Sequence, residues 1–189
     1  MSDKKGRETA SFYMDFNQDY FSLFGLPRRY GFERAALDRA YRELQMRVHP
    51  DRHAHANDSE RRLSMQWSTF VNEAHQTLRD PLRRARYLLS LHGVATEEET
   101  NTAMTPEFLM QQMEWREAIA EAKHSGDANA IDELIAHIRT RSQDCHAELA
   151  QAIDAERNYE RAATIVRKLR FVEKLQDEAN SAAELFEQT

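Results

Sequence analysis

Apolar residues recur along this chain at spacings of three and four, the mark of helices with one buried face. Leu37, Tyr41, Leu44 and Val48 fall on one side of a predicted helix over 33–48. Leu63, Trp67, Phe70, Val71, Ala74 and Leu78 give a second helix, 60–78, a wide apolar stripe. A short helix over 20–24 precedes them and stops near Gly25 and Pro27. After Asp80-Pro81, residues Ala85, Leu88, Leu89 and Leu91 carry another helix that ends at Gly93. Three longer helices follow, over 106–123, 130–154 and 159–186, with Pro106 in the first turn of the first and Ser125-Gly126-Asp127 breaking it from the second. Ile131, Leu134, Ile135, Ile138, Cys145, Leu149 and Ile153 line the inner face of the second; Ile165, Leu169, Val172, Ala179, Ala182 and Phe186 line that of the third. No strand-like alternation and no repeat interrupts this pattern. The expected fold is all-α: two antiparallel helices plus a short one in the N-terminal half, and an antiparallel three-helix bundle in the C-terminal half.

Composition sharpens this picture. With only 5 glycines and 4 prolines in 189 residues, turns are few and helices long. No apolar run approaches the roughly 18 residues a membrane span requires, and no apolar stretch follows Lys4, Lys5 and Arg7 to make a secretory signal. The lone cysteine, Cys145, excludes an internal disulfide and fits a reducing compartment, so a cytoplasmic protein is expected. The net charge of −6 is unevenly spread. Residues 19–90 hold 13 Lys/Arg against 9 Asp/Glu, and residues 91–189 hold 10 against 20. That asymmetry points to two modules with different partners. The basic excess is small and dispersed along helices, which argues against nucleic acid.

The helix over 33–48 carries Arg34, Arg39, Arg42 and Arg47 opposite its apolar stripe, and His49-Pro50-Asp51 follows it directly. Pro50 has a fixed φ and no N–H, so the chain leaves the helix in a restricted direction. Asp51 can accept a bidentate hydrogen bond from an arginine, and His49 can both donate and accept. The tripeptide alone is a weak signal. Its place between a basic helix and an antiparallel partner raises it, and the segments 41–52 (YRELQMRVHPDR) and 72–81 (NEAHQTLRDP) resemble a J domain. That resemblance implies that His49, Pro50 and Asp51 contact an ATPase chaperone where its nucleotide-binding domain meets the interdomain linker and promote ATP hydrolysis. The basic face of Arg34, Arg39, Arg42 and Arg47 would steer an acidic chaperone surface.

The remainder of the chain narrows the family. Residues 19–27 (DYFSLFGLP), 86–93 (RYLLSLHG), 107–110 (EFLM) and 166–171 (VRKLRF) resemble HscB proteins in the same order. The HscB family works in iron–sulfur cluster assembly, with its J domain engaging an HscA/DnaK-type ATPase chaperone and its C-terminal bundle the scaffold IscU. The resemblance implies an L-shaped molecule with a flexible extension at 1–18, a J domain at 19–92, a linker at 93–106 and a scaffold-binding three-helix domain at 107–189. Leu88, Leu89 and Leu91 are expected to pack the J domain against the bundle. The 18-residue extension sets the chain apart from the shorter bacterial members, and it lacks the cysteines of the metal-binding segment that some eukaryotic relatives carry.

Helix geometry points to the same surface. Over 106–123, Phe108, Gln112, Trp115, Ile119 and Ala122 share the core face, while Leu109, Met110 and Met113 lie on a neighbouring one with Glu114 and Glu117. Phe171 lies about 100° around its helix from inward Val172. An exposed apolar strip rimmed by carboxylates suits a protein partner, and methionine suits adaptable contacts. Leu109, Met110, Met113, Glu114, Glu117 and Phe171 are thus the expected scaffold-binding set, also implied by the resemblance; the alternative is that the apolar members pack against the J domain.

No cofactor, metal or enzymatic activity is expected. His49, His53 and His55 with Asp51 and Asp58 lack a familiar zinc spacing. Glycine-rich phosphate loops and G-x-S-x-G and HExxH sequences do not occur. Cys145 is spaced like its buried neighbours, and Glu97-Glu98-Glu99 reads as a solvated linker run. The expected partners are the HscA/DnaK-type chaperone and an IscU-type scaffold, without nucleic acid or membrane, and the chain is expected to be a monomer. The competing function is that of a J protein for a different specific client.

Overall fold

The computed structural model describes residues 15–48, 57–96, 98 and 104–187. Among them there is no strand. The helices are α1 (Tyr20–Leu23), α2 (Arg34–Val48), α3 (Asp58–Arg79), α4 (Pro81–Leu91), α5 (Pro106–Ser125), α6 (Ala128–Ala150) and α7 (Tyr159–Glu187). They fall into two compact units, one of Met1–Arg28 and Glu33–Leu78, the other of Arg29–Phe32 and Arg79–Thr189.

In the first unit most of the predicted stripe residues are buried, while Tyr41, Leu63 and Phe70 are only partly covered. Leu37, Leu44 and Val48 of α2 and Trp67, Val71, Ala74 and Leu78 of α3 form the core with Phe21, Leu23 and Phe24. Asp19 starts α1 by accepting hydrogen bonds from the N–H groups of Phe21 and Ser22, and Arg28 pairs with the same carboxylate at 2.6 Å. Burial pushes the Asp19 pKa up, but hydrogen bonds from Ser22 and Arg28 outweigh it and hold the group below its ordinary value. Phe16, the aromatic of the N-terminal extension that is described, stacks on Trp67 at 3.7 Å; residues 1–14 lie outside the described residues.

Two buried polar residues of α3 break the periodic pattern. The Ser64 hydroxyl donates to the Val48 carbonyl at 2.7 Å, taking one of the four acceptors that the end of α2 leaves without a helical partner. His75 stacks on Tyr41 at 3.9 Å and places Nε2 3.1 Å from Asp38 Oδ1, while the Tyr41 hydroxyl donates to Asn72. These bonds set the register of α2 against α3 more sharply than apolar contact alone.

The second unit is built around α7, which packs against α4, α5 and α6. Phe108, Ile119, Ile131, Leu134, Ile138, Val172 and Leu175 sit in its main apolar cluster. Helix ends follow local chemistry. Asp80, Thr105 and Asp127 cap α4, α5 and α6, Pro81 and Pro106 take first-turn positions, and Gly126 leaves α5 at φ 73°. The helix expected to run to residue 154 changes at Gln151 into a π-helical turn, Gln151–Ala155. That turn aims Asp154 at residues 29–32. Its carboxylate accepts from the N–H groups of Tyr30 (2.6 Å) and Gly31 (2.8 Å), with Arg29 at 3.8 Å. A Cβ at Gly31 would lie 3.3 Å from Asp154 Oδ2, a close approach that favours glycine. Tyr30 also shares a 2.7 Å hydrogen bond with His146 Nδ1, and the Arg84 guanidinium lies over the rings of Tyr30 and Phe32.

The linker corrects one expectation. Glu97 and Glu99 lie outside the described residues, but Glu98 is not solvated: its side chain is only 7% exposed. Arg86 of α4 binds both carboxylate oxygens, the Thr96 hydroxyl donates at 2.8 Å, and Arg170 of α7 stands 3.7 Å away. Arg167 donates to the Thr96 carbonyl at 3.0 Å. Burial raises the Glu98 pKa, yet the hydrogen bonds from Arg86 and Thr96 and the two guanidinium charges leave it below its ordinary value. Its stabilising contribution is therefore complete above the ordinary glutamate pKa and fades as pH falls through the depressed one. Glu98→Gln should cost about 1.5–3 kcal/mol at neutral pH, the scale of charged hydrogen bonds. Urea titrations of both proteins from neutral to acid pH should show the difference shrinking as the wild type loses stability.

Candidate functional site

Two surfaces carry the expected site residues, one in each unit. On α2, Arg34, Arg39, Arg42 and Arg47 are all exposed. Arg39, Arg42 and Met46 follow at spacings of three and four, so they share a face, and Met46 is 61% exposed. Met46 extends the arginine face one turn beyond Arg42, an i, i+4 relation that the sequence itself carries. Arg34 lies 4.0 Å from Asp38 one turn on. Arg47 stands in the last turn, where a cation is favoured by the helix dipole. The helix delivers the chain to residue 49 through Val48, which is fully buried and hydrogen-bonded by Ser64. His49, Pro50 and Asp51 lie outside the described residues, as do His53 and His55.

The second surface is α5. Phe108, Gln112, Ile119 and Ala122 are buried. Leu109, Met110 and Met113 are 43%, 62% and 63% exposed, and Glu114 and Glu117 are exposed beside them. Neighbouring positions thus point to core and to solvent, as the helical spacing predicts. Phe171 is half-buried and packs against the apolar cluster, so it contributes to the fold as well as keeping some free surface. Met110 and Glu114 also border a groove of about 630 Å³ whose other lining includes Gln111, Arg141 and Lys168.

No group of histidine, cysteine or acidic side chains suited to a metal ion occurs among the described residues. Cys145 is fully buried, and burial pushes its thiol pKa up, away from the reactive thiolate. No helix among the described residues is long and apolar enough to cross a membrane.

A helical hairpin with an arginine-lined face on α2 precedes a second helical unit with an exposed apolar face, and comparisons identify the class as a J-domain co-chaperone. The DnaJ domain model matches residues 19–87, and the model described as the HSCB C-terminal oligomerisation domain matches residues 104–180. The DnaJ match runs through most of α4, although α4 packs on α7 in the second unit. The chain is 52% identical over 174 residues to the co-chaperone protein HscB homolog of Azoarcus sp. (strain BH72), covering 92% of this chain and 98% of that protein. It is 52% identical over 163 residues to the homolog of Ralstonia nicotianae, covering 86% and 93%. Among solved structures, chaperone HscB from Vibrio cholerae has a TM-score of 0.79 at 35% identity, covering 89% of this chain and 99% of that one. Human co-chaperone protein HscB has a TM-score of 0.83 at 32% identity, covering 89% and 83%. The chain belongs to the HscB family of co-chaperones.

The division of α5 into a core face and a free face is testable by stability alone. Phe108→Ala should cost about 3–5 kcal/mol, as for a buried aromatic. Met110→Ala and Met113→Ala should stay within about 0.5 kcal/mol of wild type, as for surface positions. Denaturant titration of the three variants separates these outcomes.

Proposed function

We propose that this protein stimulates the ATPase of an HscA/DnaK-type chaperone through His49, Pro50 and Asp51, and delivers an IscU-type iron–sulfur scaffold to it. In this reading Arg34, Arg39, Arg42 and Arg47 speed encounter with an acidic chaperone surface, and the His-Pro-Asp segment completes the contact. Leu109, Met110, Met113, Glu114, Glu117 and Phe171 hold the scaffold. The observation that carries the second half is the run of three large apolar side chains left in solvent on α5, rimmed by glutamates, in a family member whose J domain accounts for a different partner. Residues 19–92 act as the chaperone-binding module and 107–189 as the scaffold-binding module, joined through 93–106. The chain works as a cytoplasmic monomer, without enzymatic activity or a cofactor of its own.

The test is steady-state ATP hydrolysis by the cognate chaperone with this protein, the scaffold, or both. The pair should stimulate synergistically. His49→Gln should reduce the effect about tenfold or more, as expected when a central contact is lost. Leu109→Ala should remove the synergy but keep stimulation by the J domain alone. Stimulation indifferent to the scaffold would point to a different client, and absence of stimulation would overturn the chaperone assignment.

A further inference from the structure

The run Val166–Phe171 is accounted for by the fold residue by residue, with one exception. Val166 and Leu169 are fully buried in the core. Arg167 and Arg170 hold the linker, through the Thr96 carbonyl and the Glu98 carboxylate. Phe171 packs against the apolar cluster. Lys168 is half-buried and has no ion-pair or hydrogen-bond partner among the described residues. Its ammonium lies 5.8 Å from the centre of the Phe108 ring, an aromatic contact but not a counter-ion. A lysine stem can be partly covered while its ammonium stays at the surface, free to take an anion.

Lys168 faces the groove of about 630 Å³, within the size range of ligand pockets. Arg141 lines the same groove, with one N–H on Glu148 at 3.0 Å. Arg141 is thus committed to Glu148, which leaves Lys168 as the groove's cation without an acidic partner among the described residues. Met110 and Glu114 form one wall, so the groove continues the surface assigned to the scaffold. Glu107 and Glu114 place negative charge at the α5 side, which confines an incoming carboxylate to the Lys168 side.

We infer that this groove is a second contact point for the scaffold protein, taking an aspartate or glutamate side chain of that partner onto Lys168. The inference rests on the reading of α5 as the scaffold-binding helix. Leu109 and its neighbours supply apolar area, while Lys168 fixes orientation by reading one acidic residue beside that area.

The experiment measures affinity of the full chain for purified, cluster-free scaffold by calorimetry at low and high salt. Lys168→Glu should weaken binding about tenfold or more at low salt, because attraction becomes like-charge repulsion. Lys168→Arg should bind nearly as wild type, and Lys168→Gln should bind more weakly with a shallower salt dependence. Melting temperatures should change little, since the contact of Lys168 with the Phe108 ring is long at 5.8 Å and no acid in the fold pairs with it. Lys168→Glu binding like wild type while Leu109→Ala is weakened would overturn the groove contact and leave the scaffold surface standing. Normal affinity in both variants would overturn both, as would failure of the wild type to bind. A loss of affinity in Lys168→Gln that follows a lowered melting temperature would make Lys168 a structural residue and overturn the inference.

Discussion

α7 touches every other helix of the second unit, and its sequence is partitioned among those contacts. Ala162, Ala163, Ala179 and Ala182 are buried where small side chains let neighbouring helices come close, while Leu169, Val172 and Leu175 fill the space between. Because the helix is continuous over Tyr159–Glu187, a contact at one end fixes the rotation of the rest. That rotation decides that Arg167 and Arg170 reach the linker and that Lys168 faces the groove. The free face of α5 depends on it as well, since Phe108 and Ile119 turn inward against the cluster that α7 helps to form.

Periodicity disclosed most of the helices because each buries one face, and a face repeats locally. Leu37, Leu44 and Val48 in α2 were legible in this way, as were Trp67, Val71, Ala74 and Leu78 in α3. Breakers such as Gly126 and Pro81 marked ends within a few residues. The exposed trio on α5 was legible for a related reason: two apolar faces on one helix exceed what a single packing side requires. Contacts made by residues far apart in sequence leave no such trace. Glu98 reads as one of three adjacent acids, and nothing local says that Arg86 and Arg170 enclose it. Ser64 and His75 read as interruptions of a stripe, though each is buried with a partner on α2. Phe171 shows the limit of angular reasoning, because a residue at the flank of a face can still pack in part against the core.

Charge in this protein works at two scales. Across the chain, a modestly basic stretch over 19–90 precedes a strongly acidic one over 91–189, and the long-range fields of both weaken with salt. Inside the second unit, individual arginines are committed to individual acceptors: Arg86 to Glu98, Arg141 to Glu148, Arg167 to the Thr96 carbonyl. These short bonds are less sensitive to ionic strength because their groups are partly withdrawn from water.

The carboxylate of Asp154 grips backbone 124 residues earlier in the chain, at Tyr30. The second unit is therefore discontinuous: it owns residues 29–32, and the whole stretch 33–78 is an insertion between its two parts. During synthesis, α2 and α3 emerge and can pair long before the ribosome has made the π-helical turn that completes the other unit. The loop that must close at that moment is long, but a folded insertion shortens it by holding its own ends together, so its closing entropy is less than chain length alone would set. A fragment beginning at residue 79 would contain all of α4–α7 and still be incomplete. It would lack the rings that cover Arg84 and the N–H groups that satisfy Asp154.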